Sequence, residues 1–117
     1  MSVIYFNLVP PKLMEDTQTS QFVVSNPQAS TVKVILDSCI VTNTGSASAT
    51  FNINLVPNTE SAQASNLLIK GKRLDPGESY MCPEILGQVL EENGSLSTLA
   101  SLANTLTLSV SGREITA

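Results

Sequence analysis

Residues 31–43 read Thr-Val-Lys-Val-Ile-Leu-Asp-Ser-Cys-Ile-Val-Thr-Asn. The stretch is rich in β-branched residues and contains neither glycine nor proline, which predicts one long β-strand. Apolar side chains occupy both alternating sets of positions, so the sequence does not decide which set points into the core. The first set is Val34, Leu36 and Ile40, and the second is Ile35, Cys39 and Val41. A β-bulge near Asp37 and Ser38 would resolve this conflict, because an extra residue shifts the alternation by one position.

The segment that follows has a cleaner alternation. Phe51, Ile53 and Leu55 occupy every second position, and this period of two predicts a strand with one buried face. Between the two strands, residues 43–46 read Asn-Thr-Gly-Ser, which is turn chemistry. We therefore expect the two strands to form a hairpin.

Three further stretches extend the strand pattern. Residues 67–74 are predicted to form a strand, and residues 75–78 read Asp-Pro-Gly-Glu, which suits a type II turn leading into a short strand. Near the end of the chain, Leu106, Leu108 and Val110 alternate with serine and threonine, which predicts a half-buried antiparallel strand.

The segment from residue 84 to residue 104 combines helical spacing with strand-like composition. Gly87 and Gly94 break any helix into short pieces, so we expect one short helical turn near residues 83–87 and otherwise extended chain. Together the patterns predict an all-β fold, an antiparallel β-sandwich of jelly-roll-like architecture with six to eight strands.

Composition narrows the function classes. The chain has 117 residues, enough for one domain, with a net charge of -4 and only 14% charged residues. Its single basic cluster is Lys70, Lys72 and Arg73, which is too small to neutralise a run of phosphates, so nucleic acid is not an expected partner. No apolar run has the length needed to cross a bilayer, so we expect no membrane association.

The inventory of reactive groups predicts that the protein is not an enzyme. The chain contains no histidine, and its two cysteines, Cys39 and Cys82, cannot assemble a zinc site or a Cys-His pair. We expect both to be free, buried thiols. The adjacent carboxylates at residues 15–16 and 91–92 point to opposite faces of any strand and are expected in solvated turns. No catalytic residue, metal ligand or cofactor site is therefore predicted.

The first nineteen residues stand apart from the rest. They lack the basic start of a signal peptide, and they are too apolar to remain exposed to water. We therefore expect two parts, an N-terminal arm of residues 1–19 and a β-sandwich domain of residues 20–117. Two readings remain open: an edge strand of the chain's own sandwich, or an arm that Pro10 and Pro11 hold extended toward a neighbouring subunit. The interface residues predicted in this arm are Val3, Ile4, Tyr5, Phe6, Leu8 and Val9.

Four motifs occur in a recognisable order: residues 37–47, Asp-Ser-Cys-Ile-Val-Thr-Asn-Thr-Gly-Ser-Ala; residues 50–53, Thr-Phe-Asn-Ile; residues 74–79, Leu-Asp-Pro-Gly-Glu-Ser; and residues 106–115, Leu-Thr-Leu-Ser-Val-Ser-Gly-Arg-Glu-Ile. Over residues 20–116 this order resembles small tailed-bacteriophage virion structural proteins. The resemblance implies a component of a phage particle, made in the cytoplasm of a bacterial host.

Within that class, we expect a capsid cement or decoration protein, because the chain is one small domain without fibre repeats. Its expected partners are itself, as a dimer or trimer, and another virion protein such as the major capsid protein or a neck or tail protein. Lys70, Lys72 and Arg73 are further interface candidates, since Lys70 and Lys72 are expected on one strand face. The alternatives are a neck, tail or fibre-attachment accessory protein and, less favoured because the chain has no tryptophan, a glycan- or receptor-binding module.

Overall fold

A computed structural model describes residues 2–24 and 31–116. Within these ranges the chain forms nine β-strands and one short 3-10 helix. The strands are β1 (Ser2–Leu13), β2 (Thr19–Val23), β3 (Thr31–Asn43), β4 (Ala49–Val56), β5 (Leu67–Leu74), β6 (Ser79–Tyr80), β7 (Val89–Glu91), β8 (Ser95–Ala100) and β9 (Leu106–Thr116), and the 3-10 helix is Ala64–Asn66.

The strands form two antiparallel sheets that pack face to face. In sheet A the order is β1-β9-β3-β6, with β7 also paired to β3, and in sheet B it is β2-β8-β4-β5. If β6 and β7 are counted as one interrupted strand, the eight strands follow the orders 1-8-3-6 and 2-7-4-5. This double Greek-key order is that of a jelly roll, so the predicted all-β sandwich is confirmed.

The interruption between β6 and β7 explains why nine strands occur where six to eight were expected. β6 pairs with residues 41–42 of β3, and β7 pairs with residues 33–35 of the same strand. Residues 83–87 lie between them in hydrogen-bonded turns, with the amide of Ile85 donating to the carbonyl of Cys82 at 2.9 Å. The helical turn expected there is therefore replaced by tight turns, and the 3-10 helix lies in the β4–β5 loop instead.

The predicted hairpin between β3 and β4 is wrong, because the two strands belong to different sheets. Residues 44–48 carry the chain across the sandwich, and the buried side chain of Asn43 organises this crossing. Its amide group donates to the carbonyls of Ala47 and Leu74 at 2.8 and 3.0 Å, and its side-chain oxygen accepts the amide of Gly45 at 3.0 Å. The turn residues were recognised correctly, but they connect sheets and not neighbouring strands.

The β-bulge expected in β3 is confirmed. The pairing with β9 shifts between Leu36 and Ser38, so Asp37 is the extra residue. On both sides of the shift the buried positions follow a single face of sheet A: Val34, Leu36, Cys39, Val41 and Asn43. The bulge is therefore what allows both apolar sets of this strand to contribute to one core.

Gly112 lies in β9 at the level of this bulge, paired with Leu36 on one side and with Phe6 on the other. The position has no room for a side chain, since a Cβ there would overlap the carbonyl oxygen of Ile35 and touch Leu8. The close approach of the β3 and β9 backbones thus requires glycine at this point of the closing strand.

We predict that Gly112→Ala lowers the free energy of unfolding by about 2 kcal/mol or more, because the added methyl group forces the two backbones apart. Denaturant unfolding monitored by circular dichroism would measure the loss. Ser109→Ala, three positions earlier in the same strand, is the matched control and should change stability by less than about 0.5 kcal/mol. Equal stability of the two variants would contradict the close-packing argument.

We also predict that Asn43→Ala destabilises the fold by about 3 kcal/mol, since it removes three hydrogen bonds and takes the Asn43 donor away from the buried carbonyl group of Leu74. Asn58→Ala, in the exposed β4–β5 loop, is the control and should be nearly neutral. Thermal and denaturant unfolding of both variants test this. A neutral Asn43→Ala would show that the crossing between the sheets does not depend on this side chain.

Candidate interaction surface

The outward face of sheet A carries an apolar patch at the end where β1 begins. Directly paired residues in an antiparallel sheet point to the same face. Residues that are paired across neighbouring strands therefore form rows, and each row faces either the core or the outside. The rows that contain the buried Val34 and Leu36 face the core, so the rows next to them face outward. These outward rows are Val3-Ile115-Lys33-Glu91 and Tyr5-Arg113-Ile35-Val89.

We call the apolar residues of these two rows the outer-face patch: Val3, Tyr5, Ile35, Val89 and Ile115. Val3, Tyr5 and Val89 are 44%, 72% and 45% exposed, and the two isoleucines between them are half-buried. The patch therefore crosses four strands, from β1 to β7. The same rows also carry the charged residues Arg113, Lys33 and Glu91. Exposed apolar side chains that lie next to one another are typical of a protein interaction site.

Arg113 lies within the second row, between Tyr5 and Ile35, and Asp37 lies beside it on the same face. The guanidinium lies 3.0 Å from the Asp37 carboxylate and 5.9 Å from the centre of the Tyr5 ring. The hydrogen bond to Asp37 raises the pKa of Arg113. The extra residue of the β3 bulge thus holds the arginine against the tyrosine of the edge strand.

Beyond the bulge, the same outward face is lined by hydroxyl groups. Cross-strand hydroxyl pairs lie at 2.5 to 2.9 Å, joining Ser38 to Ser111, Thr42 to Ser79 and Thr44 to Thr107. These pairs satisfy each other without charge. Beyond Asp37 the outward face of sheet A thus carries hydroxyl pairs together with Ile40 and the exposed Leu13, which pairs with Thr107.

The structure places the N-terminal segment in the chain's own sheet, where β1 pairs antiparallel with β9 as the edge strand. Val3, Ile4 and Tyr5 are exposed, whereas Leu8 and Val9 are buried in the core. The side chain of Phe6 lies outside the described part of the chain. The exposed part of the predicted interface is thus confined to the first half of β1, and the exchange of residues 1–19 with a neighbour remains a prediction.

The basic cluster on β5 lies on the opposite lateral edge of the sandwich, so the structure does not bring it together with β1. Ile69 and Lys72 pair with the core-facing Ile53 and Phe51, which makes Lys70 and Gly71 the extra residues of a bulge with φ +62° at the glycine. Lys70 and Lys72 therefore do not share a face, contrary to the expectation from simple alternation.

Two of the three basic side chains of this cluster have partners within the chain. Arg73 lies 3.1 Å from Asp75, and the amine of Lys72 lies 4.6 Å from the centre of the Tyr80 ring. Lys70 is exposed, and no contact of its amine is found among the described residues. All three basic residues are exposed, and Lys72 and Arg73 contact side chains of the chain itself.

A cleft of about 670 Å³ opens between the sheets at the side formed by β5 and β7. Its apolar lining comes from Leu55, Leu68 and Leu90, and its rim carries Glu91 and Glu92. The cleft is where the two sheets diverge, and it offers an apolar floor without a cluster of reactive groups. In the described ranges, no group of three or more acidic or cysteine side chains is placed to hold a metal ion.

The two cysteines are brought together in the core, and both are free and fully buried. The hydrogen bond with Cys82 and the burial of the site raise the pKa of the Cys39 thiol well above its usual range. A thiol in this state has almost no thiolate and is a poor nucleophile or metal ligand. The prediction of free, buried thiols is confirmed.

Of the two carboxylate pairs, residues 15–16 lie in the β1–β2 connection, whereas Glu91 ends β7 and Glu92 lies in the turn after it. Glu15 accepts hydrogen bonds from Gln21 and Lys12 at 2.8 and 3.0 Å, which lower its pKa. These contacts tie the connection to β2, which is a structural role.

Comparison of the chain with protein-family models, with curated proteins and with solved structures gave no match. The described residues also contain no helix with the length and apolar character of a membrane-spanning segment. The outer-face patch is accordingly the strongest candidate site. Sequence reasoning found its β1 members but missed Ile35, Val89 and Ile115, because strand neighbours cannot be identified before the sheet order is known.

We predict that neither thiol reacts with Ellman's reagent in the folded protein and that both react once the chain is unfolded in guanidinium. The physical reason is the high pKa of Cys39 together with the complete burial of both sulfur atoms. The absorbance of the released thiolate counts the reactive groups. A native protein that titrates even one thiol rapidly would contradict the packing of this pair.

Proposed function

We propose that the chain is a non-enzymatic structural protein of a bacteriophage virion, a capsid cement or decoration protein that stabilises the particle through contacts with the shell and with copies of itself. The observation that carries the proposal is the outer-face patch, which exposes apolar side chains across four strands of a sheet. Such a surface favours adhesion to another protein.

The fold supports the proposal by analogy. Double-sheet jelly rolls are common in viral capsid proteins and also in lectins, so the architecture alone leaves several functions open. The order of motifs that resembles tailed-phage virion proteins favours the first of these. The two buried thiols and the hydrogen-bonded Glu15 have structural roles that are compatible with an adhesive function.

The contacts of one copy need not be strong. A particle presents many equivalent sites, and copies that also contact each other gain from multivalency, so that modest individual affinities add up to a stable layer. The same surface would serve at the neck, at the tail or at a fibre attachment point. The copy number per particle distinguishes these locations.

We predict that the protein is present in purified virions of the phage that encodes it, and that particles lacking it lose their contents at a lower temperature. Purified chain added back should bind these particles and restore their heat resistance. The Val89→Glu variant should bind at least about tenfold more weakly, because it places a charge inside the patch. Quantitative mass spectrometry of the bound fraction and a DNA-release assay provide the measurements.

Leu102→Glu is the matched control, since Leu102 is similarly exposed but lies in the loop before β9, away from the patch. It should bind like the unmodified chain. A copy number close to that of the major capsid protein supports decoration of the shell, and a much smaller number supports the neck or tail alternative. Virions without the protein, or equal binding by both variants, would contradict the proposal.

One observation favours a glycan-binding module as the second candidate. Tyr5, Asn7 and Asp37 border a shallow depression of about 380 Å³ on the outward face of sheet A. An exposed aromatic ring beside amide and carboxylate groups can bind a sugar. The carboxylate of Asp37 is already in an ion pair with Arg113. Specific binding on a glycan array that Tyr5→Ala abolishes would favour this alternative.

A further inference from the structure

The first half of β1 is a regular, uncharged strand edge. Within the described residues, β1 pairs only with β9, which leaves its other side without a strand partner. The register of residues 2–7 against β9 is continuous, and the first bulge occurs only between Asn7 and Val9. Residues 1–11 contain no charged side chain, and the two prolines come after the bulge.

The other strand edges in the described ranges are protected in ways that oppose further pairing. β5 has a bulge at Gly71 and carries Lys70, Lys72 and Arg73. β2 is five residues long and has a register shift, and β6 and β7 have two and three residues. Charge, bulges and short length are the usual means by which sheets avoid adding strands. Residues 2–7 of β1 show none of them.

We propose that residues 2–7 pair antiparallel with the same residues of a second copy of this chain, so that two A sheets join into one continuous sheet across a two-fold axis. This inference rests on the proposed adhesive function, and it names the surface through which copies contact each other. Strand addition of this kind gains main-chain hydrogen bonds and buries the exposed side chains of Val3, Ile4 and Tyr5.

Charge favours a second copy as the occupant. Each copy has a net charge of -4, so a contact between copies is favoured where it places no like charges opposite each other. Residues 2–7 provide an uncharged surface, and a two-fold axis makes it complementary to itself. The segment also offers no charge pattern by which a foreign strand could be selected.

The alternation of the strand restricts the register. In a continuous sheet, the outward faces of the two A sheets lie on the same side. Two residues that are paired across the two-fold axis must therefore both point outward or both point toward the core side. The two-fold axis then passes through a residue and not between two residues. Because the regular segment is residues 2–7, the axis falls at Ile4 or at Tyr5, where the residue lies opposite its own copy.

Such an interface is small. About five pairs of strand residues bury less than the roughly 1,000 Å² expected of a stable complex. The dimer should therefore form and dissociate with concentration, and become permanent only where many copies are held close together, as on a particle.

Sedimentation equilibrium on the full chain tests the pairing. We expect a monomer–dimer equilibrium that shifts to dimer as concentration rises, and Val3→Lys should weaken association at least about tenfold by placing charges within the joined strands. Met81→Lys makes a similar change at an exposed apolar residue of the β6–β7 turns and should associate like the unmodified chain. A chain that stays monomeric, or equal association of the two variants, would overturn the proposal.

Cysteine substitution tests the register and does not depend on the stability of the lysine variant. Ile4→Cys and Tyr5→Cys are made singly, and each is oxidised with glutathione disulfide and run on a non-reducing gel. One of the two should form a covalent dimer much faster than the control Met81→Cys, because its sulfur lies beside its own copy at the axis. The native thiols are buried and should not contribute. If neither variant exceeds the control, the pairing is refuted.

The particle-binding experiment separates this inference from the proposed function. A chain that dimerises through β1 but binds no particle refutes the virion proposal and leaves the pairing intact. A chain that binds particles while Val3→Lys and the unmodified chain remain equally monomeric refutes the pairing alone.

Discussion

The β-bulge at Asp37 and Ser38 is the constraint on which the rest of sheet A depends. It turns a strand with two apolar faces into one with a single buried face, so that Leu36 and Cys39 both reach the core. It also brings the backbone of Ile35 so close to β9 that Gly112 must be glycine. Asp37, the extra residue of the bulge, forms an ion pair with Arg113. The guanidinium of Arg113 in turn lies over the ring of Tyr5 in the edge strand.

The strands could be predicted from the sequence to a large extent, and the sheets could not. Period-two alternation located β4 and β9, and the conflict between two apolar sets in β3 indicated the bulge. The same alternation says which face of a strand is buried but not which sheet the strand enters. For this reason Asn43 and Gly45 were correctly placed in a turn while the turn was wrongly assigned to a hairpin. In a jelly roll nearly every connection crosses between sheets, and among the described strands β4 and β5 are the consecutive pair that hydrogen-bond to each other.

The candidate surface was predictable only where it is local in sequence. Val3, Ile4 and Tyr5 belong to one apolar run, so the sequence predicts them as interface residues, together with Leu8 and Val9, which the structure buries. An interface role for the three exposed residues stays a prediction. Ile35 and Val89 join them through the strand order β1-β9-β3-β7, which depends on long-range pairing. The face occupied by the basic cluster was also not predictable. Simple alternation places Lys70 and Lys72 on one face of β5, but Gly71, which has a positive φ, lies in a bulge that breaks the alternation.

The outward face of sheet A changes at Asp37, the residue that the bulge adds to β3. Beyond Asp37, hydroxyl groups bond to each other across strands. Before Asp37, the exposed side chains are mainly apolar, with Arg113 among them beside the ring of Tyr5. Exposed apolar residues also occur on sheet B, at Val23 and Leu68. The first half of β1 differs from those positions, because an exposed apolar face and a continuous strand edge occur there together, and the proposed contacts through the face and through the edge therefore use the same end of sheet A.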